Sequence, residues 1–114
     1  MGVSWLLLSF RGRINRQTFW LGYVLPFGVP SAVLSLYLER TLGDDHPFLW
    51  LVLLPTIWVS LAAQTKRWHD RGKSGLWNLL NFIPLAILWA LIETGFFRGT
   101  AGPNQYGVEP RGFL

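Results

Sequence analysis

Three apolar runs separated by short polar stretches set the pattern of this chain. Residues 19–38 carry no charge, residues 48–63 carry none, and residues 76–97 carry one carboxylate, Glu93. At 1.5 Å per helical residue, the first run covers about 30 Å, one hydrocarbon core. The second is slightly short unless the helix continues through residues 64–68, where Lys66 and Arg67 can snorkel toward headgroups. The pattern predicts transmembrane helices near 18–38, 48–68 and 75–97, in a single membrane domain spanning residues 1–114. A fourth apolar stretch, residues 3–10, is too short to span. It reads as an interfacial helix with Trp5 and Phe10 at the membrane surface. The expected fold class is all-α: an integral membrane bundle of three transmembrane helices, with a short N-terminal interfacial helix and an irregular C-terminal tail.

The punctuation supports these boundaries. Gly12 can take the positive φ of a tight turn, and Asn15 suits the N-cap of the first long helix. Pro26 and Pro30 interrupt that helix and Pro55 the second, so neighbouring helices must cover the freed carbonyls. Gly22, Gly28, Ser31, Ala32 and Ser35 offer small surfaces for close helix contact. Gly72 suits the C′ position that ends the second helix, and Ser74 the N-cap of the next. Pro84 frees a carbonyl close to Asn81, so Asn78 and Asn81 read as intramembrane polar residues that must face protein. Glu93, toward the far end of the third run, can reach the surface there. The tail, residues 98–114, holds four Gly and two Pro, and its Pro103-Asn104 and Tyr106-Gly107 pairs are turn chemistry able to fold part of it back onto the bundle.

Composition sharpens the class. Charged residues make up 14% of the chain, against about 25% in soluble domains. With seven Trp and eight Phe, this places the protein in a membrane. The absence of Cys excludes disulfides, thiolate catalysis and Cys-ligated metals. A net charge of +4 would suggest nucleic acid in a soluble protein. Here the cations border apolar runs, which points to anionic headgroups and topology instead, with no nucleic acid. Asp44, Asp45 and His46 adjoin in the loop 39–47, but three consecutive residues rarely converge on one ion. They read as an exposed turn capping the second helix, with no metal and no cofactor expected.

Candidate chemistry concentrates in Lys66-Arg67-Trp68-His69-Asp70-Arg71-Gly72-Lys73-Ser74-Gly75, the densest polar stretch of the chain. It is joined by Arg11, Arg13 and Arg16 before the first span. Arg11, Arg13, Arg16, Lys66, Arg67, Arg71 and Lys73 are expected to contact lipid headgroups or a partner, Arg through its bidentate fork. Asp70, a lone carboxylate among them, is expected to clamp the corner to Arg11, Arg13 or Arg16, with His69 alongside. His69 and Asp70 point about 100° apart on a helix and form no ready acid–base dyad, so no catalytic residues are assigned. Three spans would put the two chain ends on opposite sides. Seven cations on the side of residues 11–16 and 66–73, against three elsewhere, place the N-terminus in the cytoplasm and the tail outside.

Three stretches line up with a known family: Phe10-Arg11-Gly12-Arg13-Ile14-Asn15-Arg16-Gln17-Thr18-Phe19-Trp20, then Lys66-Arg67-Trp68-His69-Asp70-Arg71-Gly72-Lys73-Ser74-Gly75-Leu76-Trp77, then Gly99-Thr100-Ala101-Gly102-Pro103-Asn104-Gln105-Tyr106-Gly107. The chain resembles the small bacterial inner-membrane proteins grouped as domain of unknown function 805. Trp68 stands where leucine is commoner, and Val108-Glu109-Pro110 departs from the usual proline–aspartate–proline ending. The resemblance implies an inner-membrane location and no established activity. The function expected from the residues is a structural or interaction module contacting anionic lipid headgroups or a membrane-protein partner, with homo-oligomerisation open to it and no enzymatic role. The alternatives are a subunit of an oligomeric transporter or channel, drawn from the broken helices and Asn78 and Asn81, and a headgroup-level enzyme using His69 and Asp70.

Overall fold

The computed structural model describes residues 3–43 and 45–111. Asp44 of the loop triplet and the tail residues 112–114 lie outside the described residues. Helix α1 runs Val3–Leu8, α2 Arg16–Leu42 and α3 Phe48–Asp70; a 3₁₀ helix over Gly75–Phe82 and helix α4, Ala86–Phe96, complete an all-α fold.

The predicted caps form. Asn15 Oδ1 accepts the Thr18 amide at 2.9 Å and opens α2. The helix then widens into a π-helical segment, Phe19–Gly28, which contains Pro26, and returns to α geometry over Val29–Leu42. A proline has no N–H and its ring collides with the carbonyl four residues back, so a wider turn accommodates it better than an ideal one. At the start of α3, His46 Nδ1 accepts the Phe48 amide at 3.1 Å. That bond comes from one position before the N-cap, Pro47, which itself makes no side-chain cap bond.

Helices α2 and α3 have the length and hydropathy to cross a membrane, and only 11% and 17% of their most apolar windows are buried within the protein. A soluble core helix would be mostly buried. Leu25, Leu36, Leu51 and Leu54, each more than half exposed, instead form apolar surfaces that only lipid or another membrane protein can cover.

The third run departs from the expected single span over 75–97. Ser74 Oγ accepts the Leu76 amide at 3.3 Å and starts the 3₁₀ helix. Ile83 is then extended, φ −109° and ψ 119°, because the residue before a proline is driven out of the α region by the ring of Pro84. The chain turns and comes back as α4. At about 2.0 Å per residue, the eight 3₁₀ residues cover roughly 16 Å, and eleven α residues at 1.5 Å cover about the same. The arms match and both ends meet at one level: Lys73 Nζ, before the first arm, lies 2.6 Å from Glu93 Oε2 in the second. This is a helical hairpin whose arms are about half as long as a hydrocarbon core is thick. Glu93 is correspondingly fully buried at the mouth of the hairpin, not at the far surface.

The hairpin also corrects the placement of the tail. Residues 98–111 emerge beside residues 9–16 and the end of α3, so both flanking segments occupy the same end of the molecule rather than opposite ends. The core sits there as well. Leu6 of α1, Ile14, Phe19 and Tyr23 of α2 and Ala63 of α3 pack together, with Trp5, Trp20 and Val59 against them. Tyr23 Oη and Ser60 Oγ, 2.5 Å apart, tie α2 to α3 just below.

Candidate functional site

The end of α3 is a built corner. Gly72 adopts φ 79° while its amide reaches the His69 carbonyl (2.9 Å) and that of Lys73 the Trp68 carbonyl (2.8 Å), the paired bonds of a Schellman motif. The helix thereby stops with Asp70 in its last turn, facing inward. Asp70 Oδ1 lies 2.9 Å from Arg13 Nε and Nη2, and Asp70 Oδ2 lies 2.5 Å from Arg67 Nη1. All three side chains are buried. Asp70 is thus paired with Arg13 from the N-terminal segment and with Arg67 from its own helix.

Both guanidiniums do more than meet the carboxylate. Arg67 donates to the carbonyls of Thr94 (2.5 Å), Phe97 (2.7 Å) and Ile14 (3.0 Å). Arg13 donates to Thr100 (2.7 Å), Gly102 (2.8 Å) and Gly107 (3.2 Å). The Thr100 amide closes onto the Asp70 carbonyl at 2.6 Å. Two arginines around one carboxylate thus pin four chain segments that are distant in sequence. The planar five-donor fork suits this, because its N–H groups point in several fixed directions at once and can reach acceptors on different segments.

The other predicted residues divide by exposure. Lys66 is fully buried and, among the described residues, has no carboxylate partner; its ammonium donates to the Trp5 carbonyl at 3.3 Å and to Ser9 O, with the Trp5 ring 5.2 Å away. A cation there compensates the last carbonyls of α1. His69 Nδ1 lies 2.9 Å from the Gly12 carbonyl, and its ring stacks on Tyr106 with centroids 3.8 Å apart. Asn104 Nδ2 donates to the His69 carbonyl at 2.9 Å. Arg71 and Lys73 are half-buried and share Glu93, whose other oxygen accepts from Trp89 Nε1 at 2.9 Å. Asn78 donates to Thr65 Oγ1 (2.7 Å) and Asn81 to Gln64 Oε1 (2.6 Å), so both asparagines fasten the 3₁₀ helix to α3. Arg11 and Arg16 remain exposed.

Sequence reasoning missed how much of the site comes from elsewhere. Thr94, Phe97, Thr100, Gly102 and Gly107 contribute only carbonyls, which leave no mark in side-chain chemistry. Arg98 and Arg111, in the tail far from residues 11–16 and 66–73 along the sequence, line the same end of the molecule. Two clefts open there. One, of about 450 Å³, lies between Trp5, Arg11, Tyr106, Val108 and Arg111. The other, of about 150 Å³, lies between Asn15, Arg16, Arg98, Thr100 and Glu109. The Gly102 amide, 2.9 Å from Glu109 Oε2, holds that carboxyl below the usual carboxylate range, assisted by Arg111, Arg98 and Arg13. Chemically the corner is rich in donors. Asp70 spends both oxygens on guanidinium groups, and His69 faces a carbonyl and a phenol ring rather than Asp70.

Two long apolar helices, an apolar helical hairpin and a basic corner define a small multi-helix membrane protein. More particularly, the chain belongs to the family described as protein of unknown function (DUF805), whose model matches residues 7–108. It is 35% identical over 106 residues to inner membrane protein YhaI of Escherichia coli (strain K12), covering 91% of this chain and 87% of that protein. It is 33% identical over 134 residues to uncharacterized protein YiiR of the same organism, covering 96% and 90%. Inner membrane protein YhaH, also of that organism, is 32% identical over 113 residues, covering 91% and 88%. No solved structure matches the chain.

Proposed function

We propose that this protein is a non-catalytic structural and interaction module of the inner membrane, whose basic corner engages anionic lipid headgroups or a membrane-protein partner. One observation carries the proposal. The buried cations Arg13, Lys66 and Arg67 are consumed in bracing the corner, whereas Arg11, Arg16, Arg98 and Arg111 stand exposed around its rim at the ends of the apolar helices. Bracing on the inside and free charge on the rim suit a rigid platform facing phosphates. Lipid that co-purifies in neutral detergent is expected to be enriched in anionic species relative to the membrane of origin. The enrichment should fall as ionic strength rises from about 0.1 M toward 1 M, where screening lengths shrink from about 10 Å to 3 Å. A lipid profile matching the bulk membrane at every salt concentration would overturn it.

The same geometry supports a topology. Of the ten Lys and Arg, all but Arg40 belong to the corner end, a stronger bias than the linear chain conveys. Under the positive-inside rule the corner is cytoplasmic, with residues 9–16 and 98–111 both on that side, α2 and α3 crossing, and the hairpin re-entering from the cytoplasmic face. A fluorescent reporter active only in the cytoplasm should be active when fused after residue 111, and alkaline phosphatase should be active when inserted into loop 43–47. The opposite pair of results would reverse the assignment.

A further inference from the structure

We propose that the cleft between Arg16 and Arg98 is a binding site for the phosphate of an anionic phospholipid headgroup. This rests on the headgroup role proposed above and gives it an address. The cleft, about 150 Å³, is lined by Arg16, Arg98, Asn15 and Thr100, with Glu109 and Asp70 as its carboxylates. Asp70 is already matched by Arg13 and Arg67, so it contributes little repulsion. Glu109 is engaged by the Gly102 amide. With Asp70 neutralised, Arg16 and Arg98 outweigh the one remaining carboxylate, Glu109, and the balance at the cleft is cationic. Arg16 uses one nitrogen on the Phe96 carbonyl, at 3.0 Å, leaving its other donors available. Among the described residues, the Arg98 side chain has no hydrogen-bond or ion-pair partner; only its carbonyl is used, by Arg71 Nη1 at 2.7 Å. Uncommitted arginine forks on a small polar cleft match the geometry of a tetrahedral phosphate.

Depth supplies an independent argument. Arg16 is the first residue of α2, one turn outside Trp20, and Arg98 follows two residues after Phe96 at the end of α4. Trp20 and Phe96 pack with ring centroids 5.6 Å apart, and Trp20 Nε1 donates to the Gly95 carbonyl at 2.6 Å. An aromatic pair joining the ends of two apolar helices marks the membrane interface. Both guanidiniums lie just outside that level, where lipid phosphates sit. Phe96, 58% exposed, leaves apolar surface below them for the glycerol and first methylenes.

The test is native mass spectrometry of the intact protein released from nanodiscs of mixed phosphatidylglycerol and phosphatidylcholine. The wild type should retain phosphatidylglycerol preferentially. Arg98→Gln should reduce that retention about fivefold, the worth of one basic residue at an anionic surface. Arg16→Gln should act in the same direction and Glu109→Gln in the opposite one, while Arg40→Gln, at the other end of α2, should change nothing. Arg98→Gln is decisive because, among the described residues, its side chain makes no hydrogen bond or ion pair whose loss would loosen the fold. If the wild type prefers phosphatidylglycerol and Arg98→Gln retains it equally, this site is overturned and the broader headgroup role stands. If the wild type shows no preference, both fall. A separate arm adds inorganic phosphate. Displacement of the lipid by phosphate, with the same dependence on Arg98, would assign the site to the free anion and overturn the lipid assignment.

Discussion

Asp70→Asn is expected to cost about 3–5 kcal/mol of stability, enough to unfold the corner in detergent, because it removes one partner from a buried ionic network. The carboxylate is the counter-charge for Arg13 and Arg67, which are 5% and 0% exposed. An amide leaves both guanidiniums buried without compensation, and its NH₂ group points a donor at a donor. The damage should spread, since the two arginines also hold the carbonyls of residues 14, 94, 97, 100, 102 and 107. His69→Ala, one position away, should cost less, about 1–2 kcal/mol, for one hydrogen bond to Gly12 and one stacked ring. Thermal unfolding of both purified variants in the same detergent compares them directly. Equal midpoints would contradict the assignment of Asp70 as the centre of the corner.

The second large effect is expected at Gly99, where space alone demands glycine. A Cβ built there overlaps the Asp70 carboxylate itself, the group that Arg13 and Arg67 grip from their own sides. Neither the carboxylate nor the two arginines can yield without losing buried hydrogen bonds. Gly99→Ala should therefore force the tail outward and cost about 1–3 kcal/mol, the usual range for overpacking. The loss should register first as local release. Limited trypsin digestion should cut after Arg98 much faster in Gly99→Ala than in the wild type, while Ala101→Ser, at an exposed neighbour, should leave the rate unchanged. Unchanged protection in Gly99→Ala would mean that the tail is held by something other than its contact with Asp70.

Local chemistry was legible where one residue decides the outcome. Asn15, Gly72 and Ser74 cap or end helices as their side chains, or the lack of one, dictate. The two long apolar helices were legible because hydropathy is additive along a segment and needs no partner. The Arg13–Asp70 pair was legible because a single carboxylate among cations has few alternatives. The hairpin was not. The run 76–97, twenty-two residues and mostly apolar, is long enough for a span, and Pro84 alone cannot say whether a helix bends or reverses. Reversal was decided by contacts across the fold: Asn78 on Thr65, Asn81 on Gln64, and Glu93 returning to Lys73 and Arg71.

The sequence by itself thus determined the membrane class, the two long apolar helices, caps at Asn15 and Ser74 and the clustering of cations in residues 11–16 and 66–73, all properties of single residues or of short additive windows. Tertiary structure alone decided that the third run folds back, that the tail returns to the N-terminal segment, and which cations are buried braces and which remain exposed on the rim. The reason is physical. The braces are bonds from arginine side chains to backbone carbonyls up to 94 residues away, and every residue carries the same carbonyl. Only the path of the chain in space selects which ones Arg13 and Arg67 will meet.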